Sequence, residues 1–414
     1  MKILVSSINF HPDHSGIALY ATDLPVYLAE RGQDVTMVTG FPYYPNWKKR
    51  REDRGKLFGS GEYKGVKVLR GYLYVPEKPN TIKRVLHEAS FTLFALLNFL
   101  KAGRHESIVI VSPPLLLGLV GVVFKALWRA QLVVHIQDLQ PDAALSLGMV
   151  KRNFLIELLI KLEAFIYRRA SWIATITDSM KENLRQKGVP EEKLAVYYNW
   201  IDVADVSTFG SESSPGKFLS KHPSARGKFT VAYAGNIGVK QGVEVLVELA
   251  EASRSYEDVH YFIIGEGSKR PQLEDYARDK GLENVSFLPF LPQERYFEML
   301  QDIDVSFISQ KPGAGDVFFP SKLLGIMAMR KPLLTSADPG SELSTVISNA
   351  NCGLVSAPHD SASLLRNLAS LREDAGLREA LGERGYQHVK AYDRERVLSK
   401  FLARIFRWNS HVGS

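Results

Sequence analysis

The sequence predicts an α/β protein made of two doubly wound domains with parallel sheets, and three observations lead to this prediction. The chain has 414 residues, which is too long for one compact core and fits two domains of ordinary size. Short β-branched runs alternate with amphipathic helical patterns, as they do in parallel α/β sheets. The alternation breaks once, at residues 205–228, where Gly, Ser and Pro cluster, and then begins again.

The first half of the chain contains the first series of strands and helices. Strands are predicted at residues 2–7, 35–39, 108–111, 132–136, 172–175 and 195–198. Helices are predicted at residues 17–31, 82–101, 153–169 and 179–187. The longest apolar run, residues 108–128, is interrupted by SPP at 112–114 and contains Lys125. It therefore predicts a strand, a turn and a buried helix rather than a membrane span.

The second half repeats the pattern and ends in helices. Strands are predicted at residues 229–233, 260–264, 284–287, 305–308 and 332–335. Residues 377–408 are helical throughout and rich in Arg, which suits helices that pack back across the domain junction. We predict an N-terminal domain at 1–206, a linker at 207–228, a second domain at 229–385 and a C-terminal helix at 386–414 near the junction.

Composition restricts the class of protein. With 45% hydrophobic and 23% charged residues, the chain is neither disordered nor fibrous. Its one cysteine, Cys352, excludes an intrachain disulfide, fits a reducing compartment and is expected to be buried. Residues 1–5 predict a first strand rather than a secretory signal, so we expect a cytoplasmic protein. A net charge of +7 attracts nucleotide phosphates, acidic lipids or nucleic acid, and does not choose among them.

Two glycine turns point to a phosphate site. Residues 232–242 (AYAGNIGVKQG) lead from a strand through a turn into a helix predicted at 243–251. Glycines there let backbone N–H groups and a helix N-terminus approach an anion, and a diphosphate is the predicted ligand. A second turn at 264–268 (IGEGS) follows the next strand at the same edge of the sheet. The alternative is a pair of tight turns without a ligand.

A third motif, residues 312–322 (PGAGDVFFPSK), ends at the start of a helix. Pro320 is a rigid entry to that helix, and Ser321 is a predicted N-cap. Lys322 in the first turn is unfavourable to the helix dipole, which makes sense if an anion binds beside it. The alternative is a solvated surface lysine.

The order of these motifs, with a glycine-rich loop at Gly16 and residues 134–142 (VHIQDLQPD), resembles the retaining GT-B glycosyltransferases of family 4 over nearly the whole chain. Four segments are similar to bacterial exopolysaccharide and O-antigen enzymes, particularly the colanic-acid fucosyltransferase type: residues 41–45, 135–138, 235–242 and 320–322. The resemblance implies a GT-B fold, with two Rossmann-like domains facing a central cleft and closing over it. It implies transfer of a hexose-type sugar from a UDP- or GDP-sugar, with retention, to a saccharide acceptor, lipid-linked, in exopolysaccharide or lipopolysaccharide synthesis.

The resemblance also implies donor-binding residues, with departures from the family pattern. Asn236 and Gln241 occupy the slots where many members carry Arg and Lys, so Lys240 and Lys322 are the candidate cations for the leaving diphosphate. The usual pair of glutamates is replaced by Val317 and Gly325, which leaves Asp316 as the nearest carboxylate. The donor residues implied are Gly16, Gly235, Asn236, Gly238, Lys240, Gln241, Gly267, Asp316, Pro320, Ser321, Lys322 and Glu342. A glutamate that stabilises a helix dipole is the alternative for Glu342.

The first domain is expected to supply the catalytic and acceptor-binding residues. Asp138 follows a strand end, and we expect it to accept or orient a proton of the acceptor hydroxyl, with His135 assisting. Many relatives have a histidine directly before the aspartate, where this chain has Gln137. A hydrogen-bonded strand histidine is the alternative for His135. The predicted acceptor-binding residues are Tyr43, Tyr44 and His11. His11, Asp13 and His14 resemble a metal cluster, but the family resemblance implies that no metal is bound and no cofactor is needed.

Basic residues beside apolar ones suggest peripheral contact with an anionic membrane leaflet. Residues 48–51 (KKRR) follow the aromatic segment 43–47, and Lys83 and Arg84 open a helix that carries Phe91, Phe94, Leu97 and Phe99. The alternative is a solvated charge run beside a core helix. Two rival functions remain. One is a GT-B-fold sugar-nucleotide epimerase or hydrolase, and the other is a nucleic-acid-binding protein, which only the positive net charge supports.

Overall fold

The computed structural model describes residues 1–13, 16–44, 47–78, 80–139, 154–212, 215–313 and 321–412. The chain divides into two compact units, Met1–Asn199 with Val397–Ser414, and Trp200–Arg396. Each unit contains a mainly parallel sheet, so the prediction of an α/β protein with two doubly wound domains is confirmed.

The first unit is built on a sheet of eight described strands in the order β3-β4-β2-β1-β5-β6-β7-β8. The strands are β1 Lys2–Ser6, β2 Asp34–Gly40, β3 Phe58–Tyr63, β4 Val66–Gly71, β5 Ser107–Ser112, β6 Gln131–Ile136, β7 Trp172–Thr175 and β8 Leu194–Val196. All neighbours pair in parallel except β3, which is antiparallel to β4 at the edge. Strands β5 and β6 are buried at every residue, because helices cover both faces of a parallel sheet.

Helices connect these strands, and the last helix of the chain returns to the first unit. The helices are α1 Ile17–Glu30, α2 Thr81–Ala102, α3 Leu117–Trp128, α4 Phe154–Arg169, α5 Asp178–Gln186 and, at the end of the chain, α14 Arg394–Val412. Phe401 of α14 is 1% exposed and packs on Trp172 and Tyr197 at ring distances of 5.3 and 5.1 Å. This packing explains why Val397–Ser414 belongs to the first unit.

The second unit is built on a parallel sheet of six described strands in the order β11-β10-β9-β12-β13-β14. The strands are β9 Phe229–Ala234, β10 Val259–Ile264, β11 Val285–Leu288, β12 Val305–Ser309, β13 Leu333–Ser336 and β14 Gly353–Ser356. The helices are α6 Val203–Glu212, α7 Glu244–Ala252, α8 Arg270–Asp279, α9 Gln293–Asp302, α10 Lys322–Ala328, α11 Glu342–Ala350, α12 Ser361–Glu373 and α13 Ala375–Val389. Cys352 is buried and unpaired, as expected.

Two parts of the chain differ from the sequence-based expectation. Residues 207–228, predicted as the linker, belong to the second unit and include the end of α6 and two short 3-10 turns, because the chain changes unit earlier, after Asn199. Phe91 and Phe99, predicted on a lipid-facing helix, are fully buried against the sheet. No helix in the described part of the chain is long and apolar enough to cross a bilayer.

Each sheet has a point where the strand order reverses, and the turns that follow the strands beside this point lie at the carboxyl edge of the sheet. In the first unit, the chain runs outward in opposite directions from β1 and β5; in the second, from β9 and β12. Ligands of doubly wound sheets bind at the carboxyl ends of the strands beside such reversal points. The described parts of the loops after β1, β9 and β12, where many of the predicted site residues lie, are therefore at the expected positions within their own units.

Candidate functional site

Two glycine turns follow the neighbouring strands β9 and β10 and pack backbone against backbone. A Cβ on Gly265 would lie 1.8 Å from the Gly235 carbonyl oxygen, and one on Gly267 would lie 2.2 Å from the Ile237 carbonyl oxygen. The Ile237 N–H donates to the Glu266 carbonyl at 2.8 Å. No side chain fits at Gly265 or Gly267, so these glycines are required by the packing of the two turns as well as by any ligand.

Lys322 is the first residue of α10, and its ammonium group is held at the first glycine turn. Its Nζ is buried and has no hydrogen-bond partner among the described residues. The Nζ lies 3.5 Å from the centroid of the Tyr233 ring, and a Cβ on Gly235 would lie 3.4 Å from it. Burial lowers the pKa of Lys322 to about 7. The alternative of a solvated surface lysine does not fit this burial.

Asn236 and Gln241, which occupy the positions where many family members carry Arg and Lys, form a neutral hydrogen-bonded pair. The Asn236 Nδ2 donates to the Gln241 Oε1 at 3.4 Å across the turn. The Lys240 carbonyl accepts from the Lys311 N–H at 2.9 Å, which joins the turn after β9 to the segment after β12. The N–H groups of Asn236 and Gly238 donate to no acceptor within the described ranges. The turn therefore has two amide N–H groups that no described acceptor uses, and the Lys322 ammonium lies at its first glycine, Gly235.

Ser321 and Glu342 lie at the starts of the helices α10 and α11. Ser321 is at the N-cap position, but its hydroxyl makes no capping hydrogen bond. The predicted N-cap position is confirmed, but the hydroxyl does not cap the helix, because Ser321 has helical backbone angles, φ −55° and ψ −24°, where a capping residue is extended. Glu342 is in the first turn of α11, where a carboxylate also stabilises the helix dipole. Two predicted donor residues lie outside the described residues: Asp316 and Pro320.

In the first unit, Gly16 precedes α1 in the loop after β1. Its φ is +61°, and a Cβ placed on it would meet nothing within 4 Å. The glycine is therefore favoured by its left-handed backbone and not by crowding, and open space adjoins it. Both properties fit the predicted close approach of a ligand to this loop.

Asp13 connects the loop after β1 with the loop after β2. Its buried carboxylate accepts from the N–H groups of Tyr43 and Tyr44, each at 3.2 Å, and from the Asn9 Nδ2 at 2.9 Å. Burial raises the pKa of Asp13, and these hydrogen bonds oppose the increase. Asp13 therefore positions the two tyrosines that we predicted to bind the acceptor.

The two tyrosines differ in exposure. Tyr43 is 6% exposed, and its ring packs on His87 at 4.6 Å and on Trp47 at 5.4 Å. Burial raises the pKa of Tyr43. Tyr44 is half-buried and so has more surface with which to meet an acceptor. The geometry gives Tyr43 a packing role and leaves Tyr44 as the better candidate for contact.

His11 is fixed by several neighbours. Its imidazole stacks on the Tyr63 ring at 3.9 Å, and the backbone N–H of His11 donates to the Thr22 Oγ1 at 2.8 Å. The Arg70 guanidinium donates to the His11 carbonyl. Burial and the charge of Arg70 lower the pKa of His11. Among the described residues no three potential metal ligands come together, and His14 lies outside them.

Asp138 and His135 lie near the end of β6 but in different surroundings. Asp138 is half-buried just beyond the carboxyl end of the strand. His135 is 1% exposed, lies 5.8 Å from the Phe401 ring and has its Nε2 at 3.3 Å from the Gln137 Nε2. Burial lowers the pKa of His135 to about 4. These are the surroundings of a hydrogen-bonded strand histidine, so Asp138 is the better placed of the two to meet an acceptor.

Sequence reasoning did not single out two residues that organise these loops. Tyr233 lies under the Lys322 ammonium, and its hydroxyl donates to the Asn236 carbonyl at 2.6 Å. Arg70 donates to the Gly40 carbonyl at 2.9 Å as well as to His11. Arg70 had no signal beyond being one of two cations, with Lys67, in the short strand β4. Tyr233 had no signal beyond its place directly before the glycine turn.

Comparisons with known proteins agree with this arrangement. The sequence profile described as glycosyl transferases group 1 matches residues 217–388, and that of the glycosyl transferase 4-like domain matches residues 15–200. The chain is 30% identical to WcaI of Escherichia coli strain K12, which is named as a colanic acid biosynthesis glycosyl transferase, over 97% of this chain and 99% of that protein.

Solved structures share the fold. Sucrose-phosphate synthase from Thermosynechococcus elongatus superposes with a TM-score of 0.74 at 16% identity, over 99% of each chain. Anabaena HepE in complex with UDP superposes with a TM-score of 0.71 at 14% identity, over 98% of this chain and 100% of that one. The GT-B fold expected from the sequence is confirmed by these likenesses. The chain belongs to the group 1 and 4-like glycosyltransferase family and is a GT-B glycosyltransferase.

Proposed function

We propose that this enzyme transfers a hexose-type residue from a UDP- or GDP-sugar, with retention of configuration, to a lipid-linked saccharide in the synthesis of a bacterial surface polysaccharide. The similarity to WcaI, named for colanic acid biosynthesis, supports the acceptor class. HepE was solved with UDP and with UDP-glucose, which supports a nucleotide-sugar donor. The observation that carries the donor half of the proposal is the buried Lys322 ammonium without a hydrogen-bonding partner among the described residues.

The donor diphosphate would bind at the turn after β9. Negative charge develops on the departing nucleoside diphosphate in the transition state, and donors already oriented toward that charge stabilise it. Lys322 would supply a cation, and the N–H groups of Asn236 and Gly238 would supply neutral donors. Lys240, half-buried on the same turn, would supply further positive charge. Glu342 and Asp316 remain candidates for contact with the sugar or ribose.

The acceptor would bind in the first unit, at the loops joined by Asp13. Tyr44 and His11 would contact the saccharide, and Asp138 would orient or accept the proton of the attacking hydroxyl. Much of the catalytic effect of such a site comes from positioning, because the protein forms no covalent bond in this scheme. We also propose that transfer needs no divalent metal, since the chain's own cations would neutralise the diphosphate.

We propose that the enzyme works in the cytoplasm at the inner face of the plasma membrane. A lipid-linked acceptor is confined to the bilayer, so an enzyme that binds it gains from being close to that surface. The net charge of +7 favours an anionic leaflet.

Ligand-dependent melting tests the donor half. UDP, GDP and their sugars are compared in a thermal-shift assay, in which a ligand that binds the native state raises the melting temperature. We expect one nucleotide series to raise the melting temperature, and no shift with either series would contradict a nucleotide-sugar donor.

Turnover is then measured with and without a saccharide acceptor. Loss of donor at the same rate without an acceptor would favour an epimerase or hydrolase instead.

Two substitutions separate the proposed roles within the same assays. Lys322→Met should weaken nucleotide binding by about tenfold or more, because a hydrogen bond to a charged group contributes roughly 1.5–3 kcal/mol. Asp138→Asn keeps the shape of the side chain and should suppress turnover while nucleotide binding is retained. The opposite pattern, with turnover lost in the first and binding lost in the second, would exchange these assignments.

A further inference from the structure

The helices α2, α3 and α4 lie side by side over one part of the first unit. Phe99 of α2 packs on Phe124 of α3 with ring centroids 5.0 Å apart. A Cβ on Gly118 of α3 would lie 2.8 Å from Ile166 of α4, so these two helices are in close contact. The outward sides of the three helices therefore form one surface, which we call the three-helix face.

The three-helix face is apolar although it is exposed. On α2, Ile82, Leu86, Leu93, Leu97 and Leu100 are exposed and recur at helical spacing, so they form a stripe along the helix. The face continues with Leu127 of α3, 65% exposed, and Phe154 of α4, 84% exposed. Most of the exposed large apolar side chains in the described part of the chain lie on these three helices.

This stripe is separate from the part of α2 that packs into the core. Phe91 and Phe99 are fully buried, whereas Leu93 and Leu97 are 56% and 41% exposed. At 100° per residue the exposed stripe points nearly opposite to the buried one. A helix that is apolar on both sides is normally covered on both sides, and extended exposed apolar patches mark sites of interaction.

Cations lie at both ends of the apolar stripe on α2. Lys83 and Arg84 are at the start of α2, and Lys101 and Arg104 are at its end. The acidic residue of α2, Glu88, is half-buried. On α4, Glu157 is half-buried, and Glu163 is buried and bonded to the Lys187 ammonium at 2.7 Å. The exposed charge at the edges of the face is therefore mainly positive.

We propose that the three-helix face docks onto an anionic lipid bilayer, with its leucines inserted at the level of the headgroups and its cations on lipid phosphates. Apolar side chains flanked by Lys and Arg have the composition of surfaces that lie in a membrane interface. A second copy of the chain suits the face less well, because it would bring two positively charged rims together.

The face adjoins the loop proposed to bind the acceptor. The Arg84 guanidinium lies 5.7 Å from the centroid of the Trp47 ring, and His87 packs on Tyr43 at 4.6 Å. Docking through this face would therefore bring Tyr44, next to Tyr43, close to the headgroups where a lipid-linked saccharide lies. The inference deepens the membrane contact proposed above and identifies the surface that makes it.

Vesicle flotation of the full chain tests the inference without donor or acceptor. Vesicles of phosphatidylethanolamine with phosphatidylglycerol are compared with vesicles of phosphatidylcholine alone. We expect the protein to float with the anionic vesicles and much less with the neutral ones. Leu93→Gln with Leu100→Gln should reduce the partition coefficient at least about tenfold, because glutamine keeps the helix and removes apolar area. Lys101→Glu with Arg104→Glu should reduce it at low salt.

Matched controls carry the same changes elsewhere on the surface. Phe290→Gln with Phe406→Gln removes exposed apolar area, and Lys221→Glu with Arg366→Glu reverses two exposed cations. We expect both control pairs to float like the unchanged protein. Equal loss in test and control pairs, or undiminished flotation of the leucine pair, would overturn the proposal.

Two further readouts distinguish the possible failures. A concentration-dependent dimer in light scattering that the leucine pair abolishes, with no flotation of the unchanged protein, would overturn the proposal in favour of self-association. A circular dichroism spectrum like that of the unchanged protein shows that the leucine pair is folded, and this control needs no nucleotide. If the nucleotide assay contradicts the transferase function, the flotation result is unaffected. The proposed function and the proposed membrane surface can therefore be refuted independently of each other.

Discussion

Lys322 is the residue whose surroundings most restrict what the second unit binds. Its ammonium lies over the Tyr233 ring, and a cation–π contact of this kind contributes about 2 kcal/mol when desolvated. Removing an ammonium from water costs several kcal/mol even after relaxation. The aromatic ring therefore does not balance the charge, which is why burial lowers the pKa of Lys322 to about 7. An anion at the Gly235 turn would balance it.

The pH dependence of nucleotide binding follows from this lowered pKa. A bound diphosphate favours the charged ammonium, so binding requires protonation of Lys322 wherever the free enzyme has lost that proton. Affinity for UDP or GDP should be nearly constant just below pH 7. Above it, affinity should fall by up to about tenfold per pH unit, with one proton taken up per nucleotide. Titration calorimetry in buffers of different ionisation enthalpy measures both quantities.

Lys322→Arg is the control for this dependence, because a guanidinium stays charged throughout the range. Its affinity should show no decline that begins near pH 7. A decline of the same size in the arginine variant would assign the proton to another group. The Tyr233 hydroxyl is not the source, because burial raises its pKa further above this range.

At the scale of elements, the turn after β9 and the turn after β10 form one unit of structure. The Gly265 φ of +141° and the contact of its position with the Gly235 carbonyl leave no room for a side chain. The Ile237 N–H and carbonyl both bond to the second turn, to the Glu266 carbonyl and the Lys269 N–H. The shape of the Gly235 turn, where the Lys322 ammonium lies, therefore depends on the turn after β10, about thirty residues further along the chain than Gly235.

Gly265→Ala should separate the two turns. The added Cβ would lie 1.8 Å from the Gly235 carbonyl oxygen, so the backbone must move. We expect the free energy of unfolding of the second unit to fall by more than about 2 kcal/mol, and nucleotide binding to weaken in the molecules that remain folded. Chemical denaturation with and without nucleotide measures both effects.

Gly281→Ala is the matched control, because Gly281 has a φ of +61° but open space around it. That variant bears only the cost of a left-handed backbone, roughly 1 kcal/mol, and should bind nucleotide as the unchanged protein does. Equal effects of the two substitutions would show that backbone strain, and not the contact between turns, explains the loss at Gly265.

At the scale of the whole molecule, two sheets of the same design carry different kinds of loop. The second unit presents glycine turns and a buried cation after β9, β10 and β12. The first presents tyrosines, a buried aspartate and Asp138 after β1, β2 and β6. In the function proposed above, the former would bind the diphosphate and the latter the saccharide. This division agrees with a glycosyltransferase of the GT-B fold, in which the two substrates are held by different domains.

Metal dependence is a property of the whole reaction, and the proposed mechanism predicts none. If Lys322 and Lys240 neutralise the leaving diphosphate, EDTA should leave the initial rate of transfer unchanged within about twofold. The reason is that the chain's own lysines supply the positive charge, so removal of a metal does not take it away. Initial rates after dialysis against EDTA, with and without added Mg²⁺ or Mn²⁺, measure this. A large loss restored by one of these ions would contradict the proposed metal independence.

The sequence by itself determined most of the elements and their order, whereas the edge strands β3 and β14 and the strand β4 were not predicted. Strand and helix alternation is a local pattern, so β5 and α3 were predicted from the run at 108–128, as were the glycine turns after β9 and β10. The family resemblance also depended on local motifs, which the comparisons confirmed over nearly the whole chain. These features could be predicted because each is set by residues close together in the chain.

Only the tertiary structure decided which chemical groups are covered. Lys322 was expected at an anion site, but its burial over Tyr233 depends on a strand ninety residues away in the chain. His135 is buried partly by Phe401, which arrives from the last helix. On α2 the sequence contains two apolar stripes, and packing decided that Phe91 and Phe99 face inward while Leu93 and Leu97 face outward. Periodicity gives the faces of a helix, whereas the neighbours that cover one face come from distant parts of the chain.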